Sequence, residues 1–357
     1  MIRLATVFSG IGAIEQALKK MGIEHQIVFA CDNGERNISL NVDEINNEIK
    51  NLPYDKQKEY IDELYEHKCK KENKMECSYL NNYNLSKKHF YQDVRFLNAN
   101  QYKDKVDLIV GGSPCQSFSI IGKRAGLNDT RGTLFYDYAR IIDECKPKAF
   151  IYENVKGLLS HDKGNTWKVV KDVFMSLGYN IKFYELNSKD FGIPQDRRRI
   201  FLVGTLKENL LPDTLEKQKL TKTMFDFLES NVDVKYYFKQ KGFEFVTTNK
   251  RARINSKIIS TQKANQQFNW NGDFVFEEYE KIKNRQDILD NAYIGYYNNV
   301  RGVVRKLTPR ECLRLMGFTD DFKIVVDDVE MYRQAGNSIV VNVLEEIVKQ
   351  LLKYKLI

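Results

Sequence analysis

The chain has 357 residues, 42% hydrophobic and 29% charged, with a net charge of +8. That balance excludes a disordered or fibrous chain and leaves room for one large or two moderate cores. There is no apolar run of about 18 residues, and the opening "MIRLATVFSG" lacks a signal-peptide cleavage pattern, so a cytoplasmic protein with no membrane partner is expected.

From the N-terminus, "RLATVFSGIGAIEQALKKMG" predicts a short strand, a glycine turn and a helix with apolar positions at Ile14, Ala17, Leu18 and Met21. A second strand, "HQIVFACDN", ends at Asp32, about 20 residues past the glycines, where a carboxylate can take the two hydroxyls of a ribose. Residues 46–89 carry both signs of charge. There Tyr60, Ile61, Leu64 and Tyr65 predict one amphipathic helix laid on the body, within a solvated insertion. His67, Cys69, Cys77 and His89 match no standard zinc spacing, so no metal is expected. The six cysteines form no CxxC pair, which leaves no disulfide framework either.

Further strands are predicted in "HFYQDV" ending at Asp93, "VDLIVGG", "KAFIYENV" ending at Glu153 and Asn154, and "RIFLVGT", with helical patterns such as "LFYDYARIIDEC" between them. The alternation predicts an α/β, Rossmann-like, largely parallel sheet with helices on both faces, whose ligands gather at the carboxyl ends of the strands. Gly10, Asp32, Asp93, Cys115 and Glu153 all fall at such ends. In "GGSPCQSFS", Cys115 follows Pro114 where a strand breaks into a Gly- and Ser-rich loop. A thiol there is an inert side chain unless a neighbour lowers its pKa and positions it, in which case it is a nucleophile.

Residues 206–328 lose the alternation and predict a second, smaller domain, with 1–205 and 329–357 forming the first. Between Phe245 and Gly272 there are five Lys or Arg and no acid, interleaved with Asn, Gln, Thr and Ser. Such a stretch offers phosphate pairing and base-edge hydrogen bonds, so nucleic acid is the leading partner. Arginine forks suit base edges better than lysines do, which points to Arg251 or Arg253 for bases and to Lys250 and Lys257 for phosphates. The closing "GNSIVVNVLEEIVKQLLKY" is helical and is expected to pack on the first domain.

The blocks "FSGIG", "GGSPCQSFSIIGKRAGLNDTRGTLF", "ENV", "FGIPQDRRRIFLVG", "RKLTPRECLRLMGF" and "GNSIVVNVLEEI" resemble those of the DNA cytosine-5 methyltransferases of bacterial restriction-modification type, in the same order and across nearly the whole chain. The resemblance implies a class I S-adenosyl-L-methionine-dependent methyltransferase sheet joined to a DNA target-recognition domain. It implies that the target cytosine of double-stranded DNA is flipped out, that Cys115 adds to carbon 6, and that a methyl group passes to carbon 5, leaving S-adenosyl-L-homocysteine and needing no metal. Glu153 would protonate ring nitrogen 3. Arg199, with Arg197 beside it on one face of an extended segment, would hold the base carbonyl and orient Glu153, while Arg198 points away. For the cofactor, the resemblance places Phe8 on the adenine, Gly10 and Ile11 in the close turn, Asp32 on the ribose, Asp93 and Leu134 beside the adenine, and Asn337 and Ser338 near the methionine end; Asn33, Val94 and Pro114 complete the set. Residues 113–132 would form a lid over the base. In it Gln116, Ser119, Lys123 and Arg124 would meet DNA and Ile121 would fill the hole left by the base. "TMFDFLESNVDVKYYF" would open the recognition region that holds Lys250, Arg251, Arg253 and Lys257.

Thr6, Ala13 and Gln92 stand where the family more often has Asp, Gly and Gly, and the 46–89 insertion lies outside its common core. A tRNA-directed relative is the alternative reading, opposed by the lack of a Cys-Phe-Thr tripeptide in 206–328. A catalytically silent DNA-binding relative is opposed by Cys115, Glu153, Arg197 and Arg199 together. A monomer is expected, with a separately acting restriction endonuclease as a candidate companion.

Overall fold

A strand of six residues, β1 (Ile2–Val7), forms where "IRLATV" places apolar side chains on both faces, and it runs through the middle of a seven-stranded sheet. The computed structural model describes residues 1–36, 38–114, 134–208 and 210–357. In chain order the first unit continues with α1 (Ala13–Lys20), β2 (His25–Cys31), α2 (Val42–Ile49), α3 (Tyr54–Lys68), α4 (Lys74–Asn82), β3 (Phe90–Tyr91), β4 (Leu108–Gly111), α5 (Leu134–Cys145), β5 (Ala149–Val155), α6 (Asn165–Ser176) and β6 (Asn180–Asn187). After the two-residue β7 (Gln195–Asp196), β8 (Arg198–Thr205) returns to the sheet, whose order is β3-β2-β1-β4-β5-β8-β6. The first five strands in that order run parallel, and β8 is antiparallel to β5. Parallel strands covered on both faces need no polar alternation, which is why "LIVG" of β4 is buried throughout. Phe135 and Tyr138 of α5 and Phe174 of α6 pack on Phe150 and Tyr152 of β5, with ring centroids 4.4 Å apart for Phe150 and Phe174. Each ring buried there contributes about 1.5–3 kcal/mol.

The segment expected to be a solvated insertion with one helix holds three. Asn41 caps α2 by accepting from the N–H of Glu44, and Asn73 caps α4 by accepting from those of Met75 and Glu76. Ile45, Ile49, Ile61, Tyr65 and Phe96 form a small core of their own, and Tyr79 packs on Ala30 and Phe90. Most of the mixed charges lie on the outer faces, while Glu76 accepts from buried Gln92.

The chain divides into two compact units, Met1–Leu186 with Arg198–Glu216 and Val343–Ile357, and Asn187–Arg197 with Lys217–Asn342. Residues 187–197 and 329–342 therefore group with the second unit, which strand pairing explains: β7 pairs with β10 (Ile259–Ser260), and Arg197 hydrogen-bonds the carbonyls of Gly336 and Ser338. The second unit also holds α7 (Gln240–Thr248) and β9 (Arg253–Ile254), then β11 (Asp273–Glu278), α8 (Tyr279–Ile282), α9 (Gln286–Asn291), β12 (Gly295–Tyr297) and β13 (Val300–Lys306). Its four-stranded sheet runs β12-β13-β11-β9. α10 (Pro309–Arg314) starts on a reciprocal cap between Thr308 and Glu311, with Pro309 in its first turn. α11 (Asp328–Asn337) follows, and α12 (Val341–Lys353) closes the chain. Glu311 also takes both terminal nitrogens of the fully buried Arg305 at 2.9 Å, while Glu277 takes its Nε at 2.6 Å.

Candidate active site

In an open parallel sheet, ligands bind beyond the carboxyl ends of the strands where the strand order reverses, here between β1 and β4. Past β1 the chain makes a tight turn with three left-handed residues, Phe8 (φ 55°), Gly10 (54°) and Gly12 (76°). For Phe8 that conformation costs on the order of 1–3 kcal/mol, and it sets the half-buried ring against the core that also supports Leu134. Gly12 admits no side chain, because a Cβ there would lie 2.2 Å from the ring of Tyr83. Ile11 is buried at the centre of the turn.

Past β2, Asp32 accepts the N–H of Gly10 at 2.9 Å on one carboxylate oxygen and that of Gly34 at 2.8 Å on the other. Burial pushes its carboxyl above the ordinary range and the two N–H groups pull it back. Each oxygen keeps a lone pair, so the carboxylate fits a diol such as that of a ribose. Asn33 beside it accepts from the N–H of Glu35. Past β3, Asp93 accepts from the backbone and guanidinium of Arg95 at 2.6–3.0 Å and from the Tyr65 hydroxyl at 2.6 Å, and Val94 is buried next to it. Burial and the charge of Asp93 hold the Tyr65 phenol well above its usual range, so it stays a donor.

The ends of β4 and β5 close the group. Gly112 passes so near Glu153 that a Cβ would lie 2.3 Å from the Glu153 carbonyl oxygen. Ser113 shares a 2.7 Å hydrogen bond with Tyr152, and Asn154 donates to the Ser113 carbonyl at 3.0 Å. Exposed Pro114 is the last described residue before Cys115. Opposite, β8 puts Arg199 against Val155, diagonal to Glu153 on one sheet face, and Arg199 Nε lies 3.2 Å from Glu153 Oε1. The pair is 19% and 15% exposed, shielded enough to strengthen the attraction yet reachable from solvent. Arg198 points away toward Glu185 at 3.9 Å.

Arg197 lies away from the pair of Arg199 and Glu153. An extended segment was expected to set it beside Arg199, but its buried guanidinium donates to the carbonyls of Gln262, Gly336 and Ser338 at 2.9–3.1 Å, as a strut of the second unit. Ser338 is buried there, and Asn337 ends α11 exposed. In the basic stretch, Lys250, Arg251 and Lys257 are exposed, with no hydrogen bond or ion pair from their side chains among the described residues. Arg253, also expected to meet DNA, is exposed too, and its guanidinium donates to Ser256, Ser260 and the Ile258 carbonyl and lies 3.5 Å from buried Asp273. Exposed Phe245, Phe268 and Trp270 accompany the basic residues, a feature the charge pattern did not single out. Tyr65, Asn73 and Tyr83 were missed too, and the only sequence signal was an Asn in a helix-capping position. Cys115, Gln116, Ser119, Ile121, Lys123 and Arg124 lie outside the described residues.

A family model described as C-5 cytosine-specific DNA methylase matches residues 47–353. The type II methyltransferase M.SsoII of Shigella sonnei is 38% identical over 258 residues, covering 69% of this chain and 64% of that protein, so the chain spans just under two thirds of this relative's length. M.HhaI of Haemophilus parahaemolyticus, also a type II methyltransferase, is 33% identical over 309 residues, covering 76% and 86%. Among solved structures, the S. pombe Dnmt2 methyltransferase shares the fold at a TM-score of 0.67 and 19% identity over 99% of both chains.

Proposed function

Because the chain belongs to the C-5 cytosine-specific DNA methylase family, with that family's α/β class I methyltransferase fold, we propose that it methylates carbon 5 of a cytosine at a specific sequence in double-stranded DNA. The observation that supports this most is the ion pair of Arg199 and Glu153 at the end of β5, next to the strand that leads through Pro114 to Cys115. Carbon 5 of cytosine is a poor nucleophile until electron density is pushed onto it. The Cys115 thiolate adds to carbon 6, a carbon–sulfur bond forms, and the displaced electron pair is met at ring nitrogen 3 by a proton from Glu153. Arg199 orients that carboxyl group. S-adenosyl-L-methionine, when bound, supplies the methyl group. Carbon 5 then gives up its proton to water acting as base, the carbon–sulfur bond breaks to release Cys115 as thiolate, and nitrogen 3 returns its proton to Glu153.

On this reading Asp32 takes the ribose hydroxyls, and Phe8, Asp93 and Leu134 flank the adenine, with Val94 beside them and Gly10 and Ile11 as the close turn beneath. Exposed Lys250 and Lys257 meet phosphates and Arg251 a base edge, while the engaged Arg253 supports the fold of that surface. The test is tritium transfer from methyl-labelled cofactor offered duplex DNA and tRNA side by side. Label in duplex DNA supports the proposal; label confined to tRNA overturns it.

A further inference from the structure

Helices α2 to α4 fill the connection between β2 and β3, to which the sequence assigned no role. The strand end they adjoin is weakly built, since β3 joins the sheet through Phe90 and Tyr91 alone. Yet Asp93 follows two residues after it, and the helices that follow the Asp32 turn are those of the insertion. Polar side chains of the insertion point inward at these places. Tyr65 on α3 is fully buried and gives its hydroxyl to Asp93 at 2.6 Å. Asn73, 3% exposed, donates at 2.8 Å to the Asp32 carbonyl and at 2.8 Å to Gln92 Oε1. Tyr83, just past α4, donates to the carbonyls of Ile11 and Gly12 at 3.0 and 2.7 Å. Buried Tyr79 lies 3.4 Å from Thr6. Thr6 and Gln92 are two of the three positions that depart from the family pattern, and each is a partner of the insertion. A helix laid down only to cover a sheet would turn such groups outward to water.

We infer that the inserted helices are a positioning element for the cofactor pocket: Tyr65, Asn73 and Tyr83 preset Asp93, Asp32 and the glycine turn in the arrangement that receives a nucleoside. The inference rests on reading these strand ends as the S-adenosyl-L-methionine site. A pocket held ready spares the cofactor the cost of ordering it, so loss of a strut weakens binding without slowing the bound enzyme.

The test is calorimetric titration of the full-length protein with S-adenosyl-L-homocysteine, comparing Tyr65→Phe and Tyr83→Phe with the wild type. Tyr60→Phe is the control, because its hydroxyl donates to exposed Glu48 and to no other side chain among the described residues. Loss of one hydrogen bond to a charged or buried acceptor should raise Kd on the order of tenfold in Tyr65→Phe, and by a smaller factor in Tyr83→Phe. The control should stay within about twofold. KM for the cofactor should rise in parallel, with kcat at saturation and the Kd for DNA unmoved. A merely structural role would lower the melting temperature and the binding-competent fraction but leave Kd alone, and that result overturns the inference. If Tyr65→Phe is insoluble, Tyr83→Phe decides. A wild type that does not bind defeats the pocket reading and the inference together; variants that bind as well as a competent wild type defeat only the inference.

Discussion

Glu153 is asked to carry a proton while paired to Arg199 at 3.2 Å, and an amide at that position keeps the shape but not the proton. Glu153→Gln should therefore lower single-turnover methyl transfer by about 10²-fold or more, with DNA binding retained. A rate within about tenfold of wild type would assign the proton to another acid. Glu15 is a second carboxyl with a distinct environment. Burial pushes it up from 4.5 to about 7, only partly offset by the Tyr79 hydroxyl that donates to it. A folded pKa above the unfolded one means that the native state holds the extra proton between these values. Stability should therefore fall as pH rises from 4.5 to about 7 and level off above, by about 3 kcal/mol in all. Tyr79 and Thr6 face this carboxyl, and the same burial holds the Tyr79 phenol un-ionised throughout that window. Urea unfolding of wild type and Glu15→Gln from pH 5 to 8 checks this. The variant should lose that part of the slope, and equal slopes would reject the assignment.

Among elements, the buried fork of Arg305 onto Glu311 and Glu277 ties β13 to β11 and to the start of α10. Arg305→Leu strands a buried carboxylate and should cost about 3–5 kcal/mol in chemical unfolding. A loss below about 1 kcal/mol would mean that the second unit relaxes around the gap. The strands β1, β2, β4 and β5 and the helix α5 were readable from apolar runs and 3.6-residue spacing, because their own side chains carry the core. The insertion was harder to read. Its mixed charges predict solvent, whereas Tyr65 and Tyr79 go inward on hydrogen bonds made to residues distant in sequence. β7 and β10 are two residues each and leave no period to detect. The same short pairing carries Arg197 away from the expected shared face, so the pairing with Glu153 was legible for Arg199 and not for Arg197.

Over the whole molecule, one unit carries the strand ends with Asp32, Asp93 and Glu153 and the other carries exposed Lys250, Arg251 and Lys257. If Lys250, Arg251 and Lys257 meet DNA phosphates, each alanine variant should lower the slope of log affinity against log salt by about 0.9. If Arg251 reads a base edge, its loss should instead relax specificity at one base pair, costing about 1–3 kcal/mol. Arg253→Ala, already engaged with Ser256, Ser260 and Asp273, should lower stability and leave the slope unchanged. Unchanged slopes and site preference in all three exposed variants would leave this stretch as solvated surface.

The most direct measurement is nucleoside mass spectrometry of duplex DNA after incubation with the protein and S-adenosyl-L-methionine, for the wild type and for Cys115→Ala. The wild type should produce 5-methylcytosine at one recurrent sequence, and Cys115→Ala should produce none while still binding the duplex. Methylation at another atom of the base, no methylated cytosine in DNA, or a Cys115→Ala variant that still forms 5-methylcytosine would contradict the chemistry proposed for this chain.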